Sequence, residues 1–251
     1  MERVVALGGK VLPRGWRDFG LQLGIWFGFY LTYLAVRHLT DRDPTKAVVN
    51  GLRVISFERH YTHHLFELTV ERVADSSSTL LTATAWTYWN SEFTVIGLAL
   101  LWVYLRRHDG FTRFRNTILL ANLIGLIGFW LMPTAPPWMF PHQGFTAGVN
   151  HSSALLQTLG NSYAAMPSLH AADALIVAFF LVTTSRTIWA KALWVLWPLW
   201  VWFSVVATAN HYLLDVLAGI GVAVAALLAT TWTPRLFGRL RAAGPVIANL
   251  L

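Results

Sequence analysis

The chain has 251 residues and no cysteine; 55% of the residues are hydrophobic and 12% are charged, and the mean hydropathy is +0.50. This composition excludes thiolate chemistry and an ordinary soluble domain of the same length, and it predicts a membrane protein. The formal net charge is +7, but the basic residues lie in short clusters between apolar runs, which is typical of membrane topology and argues against nucleic-acid binding.

Apolar runs of roughly 20 residues are long enough to cross a bilayer. They predict an all-α polytopic bundle of six transmembrane helices, in chain order 18–37, 86–105, 115–132, 168–184, 189–208 and 211–231. Only Ala209 and Asn210 separate the last two, which predicts a tight helical hairpin. Because nothing marks a second domain, residues 1–251 are predicted to form one membrane domain, with a catalytic core at about 86–231 and a basic cytoplasmic tail at 232–251.

The segment 45–75, between the first two spans, is polar but periodic. Its apolar residues recur at helical spacing and predict one or two amphipathic helices on the membrane surface: Phe57, Tyr61, Leu65 and Leu68. His60 and His64 have the spacing of metal ligands on one helix face, but no carboxylate completes a convincing set. We therefore expect interfacial histidines near lipid phosphates, and neither a metal nor another cofactor.

The charges of the loops predict the orientation in the cell membrane. Most of the 19 Lys and Arg residues fall on the face that holds both termini, while residues 133–167 contain none. The positive-inside rule therefore predicts cytoplasmic termini and an outward-facing segment 133–167.

This topology brings unusual polar residues to one depth at the outer ends of three spans: Ser168, His170, Asp173, Ser204, His211 and Asp215. The i,i+4 spacing of His211 and Asp215 predicts that they meet on one helix face, where the carboxylate would leave one imidazole nitrogen free as a nucleophile. The helix start at Ser168 would bind phosphate oxygens, and His170 would protonate a leaving group. Together these features predict in-line displacement at phosphorus.

Four further residues near this depth leave alternatives open. Asp173 lies on the same face as His170 and either orients it or makes a helix–helix hydrogen bond. Glu92 either lines the cavity or sits at the membrane interface. Asn161 and Tyr163 precede the helix that carries His170 and are candidate contacts for a polyol head group.

Two motifs resemble a known family. MPSLH (residues 166–170) and SVVATANHYLLD (residues 204–215) resemble the second and third signatures of the type-2 phosphatidic acid phosphatase superfamily, and PTAPPW (residues 133–138) resembles the branch with the inositolphosphorylceramide synthases, which are lipid phosphotransferases. The resemblance covers about residues 86–231. It implies a phosphohistidine on His211, oriented by Asp215, with His170 as general acid; the predicted phosphate contacts are Ser168, Ser204 and Asn210.

Two departures from the family pattern concern charge. The outer end of the third span, GFWLMPTAPP, has no basic residue, and Val205 stands where the third signature has arginine. A phosphate monoester carries close to two negative charges and needs strong cationic stabilisation, whereas a phosphodiester carries one. We therefore expect a phosphodiester substrate, unless Arg53, Arg59 or another arginine of segment 37–72 restores the charge.

The sequence thus predicts a lipid phosphotransferase that moves a phosphoryl or phospho-head group, with phosphoinositol as one candidate, from a phospholipid to a lipid or polyol hydroxyl. One alternative is a phosphatase that acts on phosphatidic acid or a polyprenyl phosphate with water as acceptor. Another class of protein, a transporter or lipid-binding scaffold, stays open. The expected partners are membrane lipids, and the sequence leaves the oligomeric state open.

Overall fold

The structure is a computed structural model that describes residues 12–40, 43–146, 148 and 163–248, with the backbone alone for 37–40 and 233–248. In these ranges it contains helices and no β-strand; extended pairing is limited to one parallel bridge between Thr134 and Ala164. The α-helices are α1 Gly15–Thr40, α2 Pro44–Thr62, α3 Phe66–Asp75, α4 Ser78–Asn90, α5 Ile96–Arg106, α6 His108–Leu131, α7 Leu169–Thr184, α8 Ile188–Ala207 and α9 Leu213–Ala248.

Four helices of the described part are long and apolar enough to cross a membrane. They are α1 over Gly15–Val36, α6, α8, and α9 over Leu213–Trp232. The apolar helix α7 is shorter, at 16 residues. The predicted span 86–105 is the end of α4, a π-helical turn at Ser91–Val95, and α5. The count of six spans is therefore not confirmed, because the chain between α3 and α6 is not one long α-helix.

Helices α2 and α3 occupy the segment predicted to be amphipathic. In these helices Phe57 and Tyr61 are exposed, while Glu58, Glu67 and Glu71 are buried. Glu58 and Glu67 bind N–H groups at the start of α9, as described below. A location on the membrane surface stays a prediction for these two helices.

Helix α7 lies at the centre of the bundle and packs against α6, α8 and α9. Gly219 of α9 lies directly against the start of α7, since a Cβ at this position would lie 2.2 Å from the carbonyl oxygen of Ser168. At Gly221, two residues on, a Cβ would meet nothing within 4 Å. The approach at Gly219 fixes the separation between α9 and the N-terminal end of α7.

The segment after α6 ties α2 to the residues before α7. Thr134 N–H donates to the carbonyl of Tyr163 (2.8 Å), and Ala165 N–H donates back to Thr134 (3.2 Å). Ala135 N–H donates to the carbonyl of Ala47 in α2 (3.0 Å). These bonds hold the carbonyl of Ala165 in place beside the connection between α8 and α9.

Candidate active site

His211 lies in the connection between α8 and α9, and not on a helix face as the sequence spacing predicts. Ala209 adopts a left-handed conformation with φ of 55°. The turn then brings the N–H groups of Asn210 and His211 to one acceptor, the carbonyl of Val205 (3.1 and 3.2 Å). Because α9 begins only at Leu213, a turn and not a helix repeat determines where the imidazole points.

The imidazole of His211 is held by a main-chain carbonyl. Its Nδ1 lies 2.9 Å from the carbonyl oxygen of Ala165 and 3.5 Å from Oδ2 of Asp215. A carbonyl can only accept a hydrogen bond, so Nδ1 carries the proton and Nε2 keeps its lone pair. Burial lowers the pKa of His211 to about 4, so the ring is neutral at pH 7 and Nε2 is a candidate nucleophile.

Three carboxyl groups accept hydrogen bonds from the first N–H groups around the start of α9. Asp215 Oδ2 accepts from Tyr212 (2.9 Å), Glu67 Oε1 from Leu213 (2.8 Å) and Glu58 Oε1 from Leu214 (2.8 Å). A helix N-terminus has unpaired N–H donors and a partial positive charge, and both favour carboxylates. The two glutamates therefore fix the helix start that follows His211.

From the sequence, Glu58 and Glu67 were considered only as carboxylates near His60 and His64, and their contacts with the start of α9 were not predicted. Burial raises the pKa of Glu58 to about 9, and the neighbouring Glu67 carboxyl group adds to the effect. Burial also raises the pKa of Glu71 to about 7, although its Oε1 accepts from the N–H (3.1 Å) and hydroxyl (3.3 Å) of Thr146. The sequence did contain one signal for this role. Glu58, Glu67 and Glu71 lie close together in a segment that was interpreted mainly from its apolar residues.

His170 lies in the first turn of α7 and faces His211, with ring centroids 5.5 Å apart. It stacks on Tyr88 of α4 with centroids 4.7 Å apart. Its Nε2 lies 3.3 Å from Oε2 of Glu92 in the π-helical turn. The structure therefore brings both histidines together and places Glu92 beside His170.

The carboxylate of Asp173 binds Asn122 of α6 and not His170. Both of its carboxylate oxygens lie 2.9 Å from Nδ2 of Asn122 in α6. Of the two alternatives drawn from the sequence, the helix–helix hydrogen bond is the one present. Glu92, from a different helix, is the carboxylate that contacts His170.

The three predicted phosphate contacts are all buried, but their hydrogen bonds differ. Ser168 is the N-cap of α7, and its Oγ accepts from Ala171 N–H (3.3 Å), so its own hydroxyl proton stays available as a donor. Ser204 Oγ donates to Trp200 (2.8 Å). The amide of Asn210 donates to the backbone and side chain of Thr208 (3.1 and 2.9 Å).

The first turn of α7 is a better candidate for an anion-binding site than Ser204 or Asn210. The N–H groups at the first helical positions have no intrahelical acceptor and, with the helix dipole, attract phosphate. These positions are Leu169 and His170, directly after Ser168. Tyr163 accepts a backbone hydrogen bond before this turn, and Asn161 lies outside the described residues.

The ion-pair contacts of His170 and His211 in the described chain are both to carboxylates, Glu92 and Asp215. Val205, at the arginine position of the signature, packs in an apolar cluster. In the described chain, the guanidinium of Arg53 donates to Asn50 (3.3 Å) and that of Arg59 to Gln143 (3.0 Å). No group of three His, Cys, Asp or Glu residues with metal-ligand geometry occurs in the ranges that the structure covers.

The chain was compared with known proteins. The family model of the PAP2 superfamily matches residues 52–229. A phosphoinositol dihydroceramide synthase of Bacteroides thetaiotaomicron is 27% identical over 139 residues, which are 48% of this chain and 46% of that protein; the match thus spans about half of the curated relative. The crystal structure of Aquifex aeolicus LpxE has a similar fold, with a TM-score of 0.50 and 15% identity over 65% of this chain and 93% of that one.

Proposed function

The chain belongs to the PAP2 superfamily and is a phosphotransferase or phosphatase with membrane-spanning helices, and from this premise we propose that it transfers a phospho-head group from a phosphodiester lipid to an acceptor hydroxyl. The observation that carries the proposal is the pair of facing imidazoles, 5.5 Å apart, in which His211 has Nδ1 held by a carbonyl and Nε2 free. The active site would lie at the outer membrane face, a location that the distribution of basic loop residues supports.

In the first step, Nε2 of His211 attacks phosphorus while the bond from phosphorus to the lipid oxygen breaks. Protonated His170 gives its proton to the departing oxygen, so that a neutral alcohol leaves. The N–H groups at the start of α7 and the hydroxyl of Ser168 bind the remaining phosphate oxygens. The product of this step is a phosphohistidine on His211, with Asp215 attracting the positive charge of the ring.

In the second step, an acceptor hydroxyl attacks the phosphohistidine. Its proton passes to His170, a bond forms between the acceptor oxygen and phosphorus, and the bond to His211 breaks. Water in place of the acceptor would make the protein a phosphatase with the same residues. The ion pairs of both histidines with carboxylates in the described chain, and Val205 at the arginine position, favour a phosphodiester, with one negative charge, over a phosphate monoester. The name of the Bacteroides relative makes phosphoinositol a reasonable first head group to test.

The experiment uses the full chain, purified in detergent, with phosphatidylinositol and dihydroceramide, and mass spectrometry of the lipid products. We expect a phosphoinositol-bearing sphingolipid from the wild type and no product from His211→Ala or His170→Ala. Vanadate, which mimics five-coordinate phosphorus, should inhibit. Faster cleavage of phosphatidic acid than of phosphatidylinositol would reject the phosphodiester assignment. Full biological activity of His211→Ala in cells would instead favour a transporter or scaffold.

A further inference from the structure

A cavity of about 150 Å³ is lined by Glu92, the residue that contacts His170, and its lining does not include Ser168. It is bounded by α1, the π-helical turn, α6 and α7, and its apolar wall includes Trp26, Phe29 and Tyr30. Phe93, which also lines it, is 68% exposed. The cavity therefore reaches the outer surface of the bundle between α1 and the π-helical turn, where the neighbouring exposed side chains of α1 are apolar.

The polar part of the cavity lining consists of two acidic side chains, the amide of Asn122 and the hydroxyls of Tyr30 and Tyr33. Glu92 and Asp173 contribute carboxylates, and the amide N–H₂ of Asn122 is directed at Asp173. The described lining includes no Lys, Arg or His. Carboxylates in an apolar surround repel a phosphate and bind hydroxyl groups well. The cavity is suited to an uncharged hydrogen-bond donor on an apolar chain.

In-line displacement decides which part of a substrate this cavity faces. The attacking and leaving groups lie on opposite sides of phosphorus, so the oxygen opposite His211 is the one that exchanges protons with His170. The lipid alcohol that leaves in the first step and the alcohol that attacks in the second both occupy this position. A head group that stays on phosphorus points elsewhere.

From these contacts we infer that the cavity binds the lipid alcohol of the proposed reaction, and that Glu92 positions His170 and the alcohol hydroxyl against each other. Glu92 Oε2, 3.3 Å from Nε2 of His170, accepts a hydrogen bond from the ring or from the incoming hydroxyl. As the hydroxyl proton passes to Nε2 of His170, the oxygen bonds to phosphorus and the bond from phosphorus to His211 breaks, while the carboxylate of Glu92 attracts the positive charge of the His170 ring. This inference rests on the proposed transfer reaction.

The kinetic test replaces the carboxylate by an amide. With phosphatidylinositol as donor, Glu92→Gln should raise the KM for dihydroceramide about tenfold or more, because a hydrogen bond to a charged group is lost. A purely structural defect would lower kcat through a smaller active fraction and leave KM unchanged. Asp109→Asn, the same change at an exposed site in the first turn of α6, is the matched control and should leave both constants unchanged. An unchanged KM in Glu92→Gln overturns the inference.

A binding test needs no turnover. His211→Ala protein in nanodiscs is irradiated with a dihydroceramide that carries a diazirine, and the labelled peptides are identified. We expect labelling of residues 26–33 and of Phe93, and competition by unlabelled dihydroceramide. Labelling elsewhere, or competition by phosphatidic acid or a phosphocholine lipid instead, overturns the inference. If the wild type forms no product but the cavity is labelled, the proposed function fails while the alcohol site stands.

Discussion

Gly219→Ala should separate the two histidines without unfolding the protein. The added Cβ would lie 2.2 Å from the carbonyl oxygen of Ser168, and contacts under 3.0 Å essentially do not occur. The start of α7 must therefore move from α9 by about 0.8 Å or more. This clash involves backbone and not a flexible side chain, so rotation about a side-chain bond cannot relieve it.

The expected loss follows from the position of Ser168 and His170 on the helix end that moves. A displacement near 1 Å at a catalytic centre costs about 10²-fold in rate, whereas overpacking costs about 1–3 kcal/mol of stability. We expect Gly219→Ala to lose about 10²-fold in kcat/KM for the phosphodiester donor, with a cooperative thermal transition retained.

Gly221→Ala is the matched control, since it makes the same change on the same helix with no atom within 4 Å. Exchange of glycine for alanine in a helix is favourable by about 1 kcal/mol, so this variant should keep full activity and a slightly higher Tm. Similar activity in the two variants would refute the claim that contact at Gly219 sets the distance between the histidines.

Three further predictions concern charge and buried hydrogen bonds. Burial raises the pKa of Glu58 from 4.5 to about 9, so between these two pH values the folded state keeps a proton that the unfolded state releases. The free energy of unfolding should therefore fall as the pH rises through this range, by up to about 1.4 kcal/mol per pH unit. Glu58→Gln should flatten this slope in thermal melts, and an unchanged slope would contradict the assignment. Arg53→Ala and Arg59→Ala should each leave the donor KM within about twofold; a tenfold rise would mean that segment 37–72 supplies the missing cation. Tyr212→Phe leaves the buried carbonyl of Ala135 without its 3.0 Å donor and should lower the unfolding free energy by about 1–3 kcal/mol, a loss that chemical denaturation would reveal.

From the sequence, the proximity of distant polar residues was easier to predict than the local geometry of the turns and hydrogen bonds that hold them. Alternating apolar runs place the starts of α7 and α9 at the same end of the bundle, and this is sufficient to bring His170 near His211. The turn that carries His211 was not predictable from an i,i+4 spacing, because it depends on a left-handed residue, Ala209, and on the carbonyl of Ala165, 46 positions away.

Carboxylate partners were the least predictable part of the site. Asp173 has the right spacing to contact His170, yet Asn122 of another helix binds it, and Glu92 takes the place beside the imidazole. Glu58 and Glu67 lie in a polar segment where carboxylates normally face water. Their burial depends on N–H groups at the start of a helix some 150 residues later, and hydropathy contains no information about such long-range hydrogen bonds.

The contacts of Glu58 and Glu67 with the start of α9 also limit how far the chain can be shortened from its N-terminus. A fragment that began at residue 86 would retain both histidines but would lose the acceptors for Leu213 and Leu214. Two main-chain donors would then be unpaired next to the nucleophile. We expect the smallest autonomous unit to include α2 and α3, so that a chain lacking Glu58 and Glu67 should fail to fold although it keeps both histidines.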